Sequence, residues 1–248
     1  MISVILAGGY AKRLWPLTTS IAKPLLPIGD RFIIDYTMDK LLKLDEVEKI
    51  IVSTNMRFKD DFEKWAGRYS PRANLELMYD KSYREEEKPG AVRALSDIVS
   101  NLEDDCLVLA GDNIFTDDLR GLIAKYRAHN ATIVGLYDVK DLHLAKNYGV
   151  VSVGDDYRII SFEEKPRWPR STLVSTGIYL FPRSVFPKFR EYLGAGHNPD
   201  EIGRFIGWLI DKEPVYGYLL SGEWHDVGTY EEYRRASERF HIFVKGSS

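Results

Sequence analysis

The chain has 248 residues, 44% of them hydrophobic and 29% charged, with a formal net charge of -3. That length can bury a sizeable core in one large domain or two small ones. The balance of 34 basic against 37 acidic residues argues against general nucleic-acid binding, which draws its affinity from a basic excess.

The first half alternates strand and helix signals. Ile2–Leu6 is an apolar strand, Phe32–Leu44 has helical spacing, and Lys49–Thr54 is a strand. A helix is expected over Phe58–Tyr69, with Phe62, Trp65 and Ala66 on one face, then a strand at Leu75–Tyr79 and a helix at Gly90–Leu102. Cys106–Ala110 is a strand apolar on both faces, followed by a helix at Leu119–His129 and a strand at Thr132–Val139. From Tyr148 onward YGVVSV, RIISFEEK and STGIYLFP follow with little helix between, and read as a partly antiparallel extension of the sheet. Helices over Ser184–Leu193 and Glu201–Asp211, a strand at Val215–Leu220 and an amphipathic helix at Tyr230–Val244 complete the pattern. This is an α/β chain with a Rossmann-like, mostly parallel mixed sheet flanked by helices. We expect a single domain over 1–244 and a free tail, KGSS, at 245–248.

The lone cysteine, Cys106, can make neither an internal disulfide nor a CxxC zinc site, and its setting in CLVLAG marks a buried core thiol. No basic leader with a cleavage site precedes the first strand, and no apolar run reaches membrane-spanning length. A cytoplasmic protein without membrane association is therefore expected.

Chemistry concentrates after the first strand, in LAGGYAKRLWPLT. Gly8 and Gly9 allow backbone N–H groups to approach an anion, Arg13 can fork onto phosphate oxygens, and Lys23 adds a second cation. The loop matches neither GxxxxGK[ST] nor GxGxxG, so a Walker NTPase and a dinucleotide oxidoreductase are both disfavoured. Asp112 and Asn113 end a second strand, and ligands of open α/β sheets bind beyond the carboxyl ends of strands.

LAGGYAKRLWPLT followed by AKPLLPIG resembles the signature of the sugar-1-phosphate nucleotidylyltransferases, close in form to glucose-1-phosphate thymidylyltransferases and uridylyltransferases. The resemblance continues through LAGDNIF, NYGVVSV, FEEKP, STGIYLF and WHDVGT, in the family's order and over nearly the whole chain. It implies the nucleotide-diphospho-sugar transferase fold and transfer of a nucleotidyl group to a sugar 1-phosphate, giving an NDP-sugar and pyrophosphate. Such a reaction joins two polyanions, so the site should offer cations, backbone N–H groups and a divalent metal rather than strong acids and bases.

Carried over residue by residue, the resemblance implies that Leu6, Ala7, Gly8, Gly9, Arg13, Lys23, Pro89, Gly90 and Asp112 meet the nucleotide. It implies that Asp112 and Asp226 hold Mg²⁺, and that Arg13, Lys23 and Lys165 are the catalytic cations. Tyr148, Gly149, Glu164, Lys165, Ser175, Gly177 and Trp224 would form the sugar site, with Lys165 on the sugar phosphate. His225 is discounted as a metal ligand, because if this segment is a strand its side chain and that of Asp226 point to opposite faces.

The chain departs from the family pattern twice. Ala11-Lys12 replaces Gly-Thr in the first loop, and Lys12 could face the phosphates or the solvent. Glu87 stands where a glycine begins the base-contacting segment, which opens the choice of base. By family frequency, dTTP or UTP with glucose 1-phosphate is expected, with mannose-1-phosphate guanylyl transfer as the alternative. A catalytically silent NDP-sugar-binding regulator would be expected to lose Arg13, Lys23, Asp112 or Asp226, and all four are present. Family members commonly self-associate, so a homo-oligomer is left open. From the length, no acetyltransferase β-helix is expected after the last helix.

Overall fold

The computed structural model describes residues 1–245, with side chains described through 240. In chain order the strands and helices are β1 (Ile2–Leu6), β2 (Pro27–Ile28), β3 (Arg31–Phe32), α1 (Ile33–Leu41), β4 (Lys49–Asn55), α2 (Lys59–Ala66), β5 (Leu75–Asp80), α3 (Ala91–Val99), β6 (Cys106–Ala110) and β7 (Asn113–Phe115). They continue with α4 (Arg120–His129), β8 (Thr132–Asp138), α5 (Leu142–Ala145), β9 (Gly149–Val153), β10 (Ile159–Glu164), β11 (Leu173–Phe181), α6 (Phe186–Gly194), α7 (Ile202–Leu209), β12 (Val215–Leu219), β13 (Trp224–Asp226) and α8 (Tyr230–Lys245). Every expected strand and helix is present, and the class is the expected α/β mixed sheet flanked by helices. Lys245, expected to open the tail, closes α8, and 246–248 lie outside the described residues.

Several helices are shorter than the apolar spacing suggests, for local reasons. Asn55 caps a 3₁₀ turn at Met56–Phe58, its side chain accepting from Phe58 N at 3.3 Å, so α2 starts at Lys59. Gly90 has φ +91°, outside the helical region, so α3 starts at Ala91. The three-residue strands β7 and β13 were not anticipated, being too short to carry a pattern.

The chain resolves into two compact units. One comprises 1–2, 89–108 and 118–221; the other comprises 3–88, 109–117 and 222–248. The boundary runs through β1 and β6.

In the first unit the strand order β10-β9-β11 is antiparallel throughout, and β8 pairs antiparallel with β11 and parallel with β12. This is the antiparallel extension expected from Tyr148 onward. The β11–β8 register shifts between Ser175 and Tyr179, and Gly177 takes φ +75° inside that bulge. Cys106 is fully buried here, and burial pushes its thiol pKa far up, as fits an inert core residue.

In the second unit β1, β4 and β5 lie in that order, with β4 parallel to β5 and Asn55 opposite Asp80. Asp35 of α1 is buried and ties α1 to α2: its Oδ1 accepts from Trp65 Nε1 and Tyr69 OH, each at 2.8 Å, and its Oδ2 accepts from Phe32 N at 2.8 Å. A second apolar cluster gathers Leu14, Leu26, Ile28, Ile33, Ile114, Val227, Ala236 and Phe240. It clamps the loop after β1, the strand β7 and the helix α8 together. At the start of α8, Thr229 caps the helix and Glu232 braces the cap. Glu232 Oε2 accepts from Thr229 Oγ1 at 2.9 Å and from Gly228 N at 3.0 Å, and Thr229 Oγ1 accepts from Glu232 N at 3.3 Å. Thr229→Ala is expected to cost about 1 kcal/mol, seen as a fall of roughly 2–4 °C in Tm by thermal unfolding; an unchanged Tm would mean the cap carries no stability.

Candidate active site

The second unit places the glycine-rich loop, Arg13, Lys23, Asp112 and Asp226 on one scaffold. Gly111 N donates to Leu6 O at 2.9 Å, which sets the loop after β1 beside the turn after β6. A side chain at Gly111 would press on Ile5, Leu6 and Ala7 at 3.0–3.4 Å, so the approach depends on glycine. Beyond it, β7 and β13 pair antiparallel with Asp226 opposite Asn113, and Val227 N donates to Asp112 O at 3.3 Å. The unanticipated strands thus bring two aspartates, 114 residues apart in sequence, to one place.

Lys23 joins them. Its Nζ lies 2.8 Å from Asp112 Oδ2 and 3.8 Å from Asp226 Oδ1, and the residue is only 8% exposed. The backbone holds it there through a 3₁₀ turn at Lys23–Leu25, with extended residues on either side and Leu25 and Leu26 buried as anchors. Burial opposes its charge, but Asp112 and Asp226 outweigh that and raise its pKa above the usual lysine value. Asp226 is pushed the other way from an ordinary carboxylate, up to about 6. Burial is the main cause, Lys23 and Arg13 only partly counter it, and Asp112 and Glu232 add to it.

That balance tests the site for a metal. One buried ammonium does not satisfy two carboxylates, and the residual negative charge is what a hard cation would neutralise. Magnesium takes one or two carboxylates and completes its octahedron with phosphate oxygens and water. Among the described residues no group of three or more His, Cys, Asp and Glu forms a closed cage. An open two-carboxylate site fits Mg²⁺ and leaves room for phosphate.

His225 faces away from Asp226 as expected on a strand, its ring edge on Phe240 and its Nε2 3.2 Å from Glu223 Oε2. Trp224 is buried in β13, opposite Phe115. Arg13 is exposed, and its charge acts on both Lys23 and Asp226. Gly9 is open, with nothing within 4 Å of where a side chain would begin.

The departures in the loop have physical accounts. Ala11 takes the left-handed conformation that glycine would adopt freely, φ 46° and ψ 48°, while its methyl packs on the apolar cluster. Burial of that methyl offsets the backbone cost. Lys12 meets the acidic turn: its Nζ is 3.0 Å from Glu85 Oε2 and 2.8 Å from Glu86 Oε1. Glu87 closes the same turn, accepting from Tyr83 N at 2.8 Å.

The first unit carries the remaining residues. Lys165, with φ 48°, directly follows β10, and its N donates to Tyr148 O at 3.0 Å. Its Nζ lies 3.2 Å from Glu164 Oε1 and 3.1 Å from Glu201 Oε1. Burial opposes its charge, and those two carboxylates outweigh burial and raise its pKa. Gly149 packs against Phe162, where a methyl would come within 2.4 Å. Gly90 packs against the Pro199–Asp200 backbone, at 2.5 Å from Pro199 O for the same added methyl, with Pro89 half-buried beside it. Ser175 is buried and bonds Tyr179 OH at 3.1 Å.

Sequence reasoning missed Glu201, which holds Lys165 from 36 residues away with no local signal, and Glu232, whose T-x-x-E spacing after WHDVG was readable. It also missed Asp80, the last residue of β5.

An α/β scaffold with these loops at its strand ends belongs to the nucleotide-handling class. A model of the nucleotidyl transferase family matches residues 2–241, and the chain belongs to that family. It is 30% identical over 228 residues, 92% of this chain, to the bifunctional protein GlmU of Methanocaldococcus jannaschii. It is 31% identical over 256 residues, 94% of this chain, to a glucose-1-phosphate adenylyltransferase of Thermomicrobium roseum. The chain spans about half the length of these curated relatives, 51% and 58% respectively. Among solved structures, a Bacillus anthracis protein described as a glucose-1-phosphate thymidylyltransferase in complex with a sucrose superimposes with a TM-score of 0.87. That match has 28% identity and covers 97% of this chain and 95% of the other. No helix among the described residues is long and apolar enough to cross a membrane.

Proposed function

We propose that the chain transfers a nucleotidyl group from a nucleoside triphosphate to a sugar 1-phosphate, releasing pyrophosphate and an NDP-sugar. The observation that carries this is the buried Lys23 held between Asp112 and Asp226 beside a glycine-rich loop. The sugar-phosphate oxygen bonds to the α-phosphorus as the bond from that phosphorus to the pyrophosphate oxygen breaks. The nucleophile is already an anion, so the protein needs no strong base. Its task is to bring polyanions together and spread their charge.

The backbone N–H groups of Gly8 and Gly9 would receive phosphate oxygens, and Arg13 would neutralise the leaving pyrophosphate. Lys23 would move its charge from the carboxylates to the reacting phosphates. Lys165 would hold the sugar phosphate, and Glu164 would accept from sugar hydroxyls. Asp112 and Asp226 would hold Mg²⁺. When bound, that ion supplies positive charge to the phosphate oxygens. Glucose 1-phosphate with dTTP or UTP is the starting pair by family frequency, and the thymidylyltransferase neighbour supports the dTTP member of it. We place the activity in NDP-sugar biosynthesis in the cytoplasm.

The test is pyrophosphate release in Mg²⁺ across dTTP, UTP, GTP and ATP with glucose and mannose 1-phosphates. Asp112→Asn is expected to lower turnover at least 100-fold in the productive pair. Unchanged turnover would remove Asp112 from the metal site, and a blank grid together with no binding of any nucleoside diphosphate would sink the transferase reading.

A further inference from the structure

The carboxyl end of β5 carries a side chain that the proposed reaction has not used. Asp80 is the last residue of β5, opposite Asn55 at the end of β4. Asn55 turns back to the glycine-rich loop and donates from Nδ2 to Gly8 O at 3.1 Å. Asp80 reaches the same glycine. Its Oδ2 lies 3.6 Å from where a side chain on Gly8 would begin, nearer than any other atom.

Asp80 is not a solvated charge at a strand end. Its Oδ1 accepts from Ser82 N at 2.7 Å and from the Ser82 hydroxyl, and Ser82 is itself buried and bonded to Tyr10 OH at 2.9 Å. Tyr10 belongs to the loop, immediately after Gly9. The chain Tyr10–Ser82–Asp80 locks one carboxylate oxygen and turns the other toward the open backbone at Gly8. The aspartate is therefore held still by groups that are themselves buried, as a recognition group requires.

Ligands of α/β sheets lie beyond the carboxyl ends of the strands. Beyond β1 lies the loop assigned to the phosphates. Beyond β4 and β5, on the same side, lie Asn55 and Asp80. A nucleotide with its phosphates on the loop has its ribose and then its base to place there.

We propose that Asp80 reads the base, and that it selects guanine. This rests on the transferase reading and replaces dTTP or UTP with GTP as its nucleotide. An ionised carboxylate accepts hydrogen bonds and donates none. Oδ1 is spent on Ser82, so Oδ2 offers two lone pairs. Guanine presents N1–H and the 2-amino group side by side, two adjacent donors. Uracil and thymine present one N3–H between two carbonyl oxygens, which a carboxylate repels. Adenine and cytosine present an amino group beside a bare ring nitrogen, so one contact is gained and one is repulsive. The discrimination arises as much from those repulsions as from the guanine bonds. An amide at this position would lose the preference, because its carbonyl oxygen stays on Ser82 N–H and its NH2 group, a donor, takes the place of Oδ2 opposite guanine's own donors.

The experiment compares kcat/KM for GTP, UTP, dTTP and ATP in the full chain and in Asp80→Asn, each with glucose and mannose 1-phosphates. The wild type is expected to favour GTP at least tenfold over UTP and dTTP, and Asp80→Asn to reduce that ratio at least tenfold. Binding of GDP against UDP to the wild type by calorimetry gives the same answer without turnover, and stands if the variant does not fold. A wild type that prefers UTP, dTTP or ATP overturns the guanine assignment while leaving the transferase reading intact. An unchanged ratio in a folded Asp80→Asn overturns the role of Asp80. If no triphosphate is turned over and neither diphosphate binds, the transferase reading itself falls.

Discussion

Asp226→Asn is expected to make the metal-free protein more stable and nearly inactive. Asp226 ionises near pH 6 in the folded chain, against about 4 for a free aspartate. Between those values the folded state holds a proton that the unfolded state has released. The contribution of this group is therefore fully present below about pH 4 and is lost as the pH rises through 6. At neutral pH the ionised carboxylate is a net cost, since burial, Asp112 and Glu232 together oppose it more than Lys23 and Arg13 support it. Asparagine keeps the shape and removes the charge. Two pK units correspond to about 3 kcal/mol at most. The side chain is 29% exposed and solvent screens part of the charge, so a gain on the order of 1–2 kcal/mol is the expectation. That is a rise of roughly 3–6 °C in Tm at pH 7.5, shrinking toward zero at pH 4.

The same variant should lose the response to Mg²⁺. In the wild type, added Mg²⁺ is expected to raise Tm, since a ligand of the native state alone stabilises it; in Asp226→Asn the rise should be mostly gone, and turnover should fall at least 100-fold. A structural role for Asp226 predicts the opposite sign of the Tm change. Thermal scans at pH 4, 6 and 7.5, with and without Mg²⁺, separate the two. A lower Tm at pH 7.5 would refute the charge cost.

How far the sequence discloses this site depends on the length scale of each signal. Runs such as CLVLA and KIIVST have enough apolar residues to show themselves, and both are strands where expected. The glycines and cations of the first loop are local and were legible. The contact between Asp112 and Asp226 is not local: it depends on β7 and β13, three residues each, whose pairing leaves no periodicity. It could be anticipated only through resemblance. The fate of Lys12 was undecidable for the same reason. Glu85 and Glu86 lie more than seventy residues away, and only the fold brings them within 3 Å. Glu87 shows the limit of reading a residue by its alignment slot. Its carboxylate bonds the backbone of its own turn, whereas Asp80, unmarked by any motif, faces the glycine loop.

Lys23→Met should be the most damaging single change to activity. Methionine retains the length and apolar stem and removes only the ammonium. Asp112 and Asp226 would then face each other with Arg13 as the nearest remaining cation acting on Asp226. Breaking a fully buried pair costs about 3–5 kcal/mol, but these carboxylates are each about a third exposed and can recruit water or a proton. A cost of about 1–3 kcal/mol in the metal-free protein follows. Catalysis should suffer more. The reacting phosphates would lose a preorganised cation held at 8% exposure, a loss worth about 100–1,000-fold in kcat. Arginine is no substitute, because its planar fork does not fit the niche of a compact ammonium. The two effects part under Mg²⁺. With the internal cation gone, the carboxylate pair should bind the metal more tightly than in the wild type, so Mg²⁺ should restore Tm while leaving kcat depressed. Restoration of both by Mg²⁺ would reduce Lys23 to a placeholder for the metal. A kcat within threefold of wild type would remove it from the reaction. Depressed kcat with restored Tm is what a lysine shared between resting carboxylates and reacting phosphates demands.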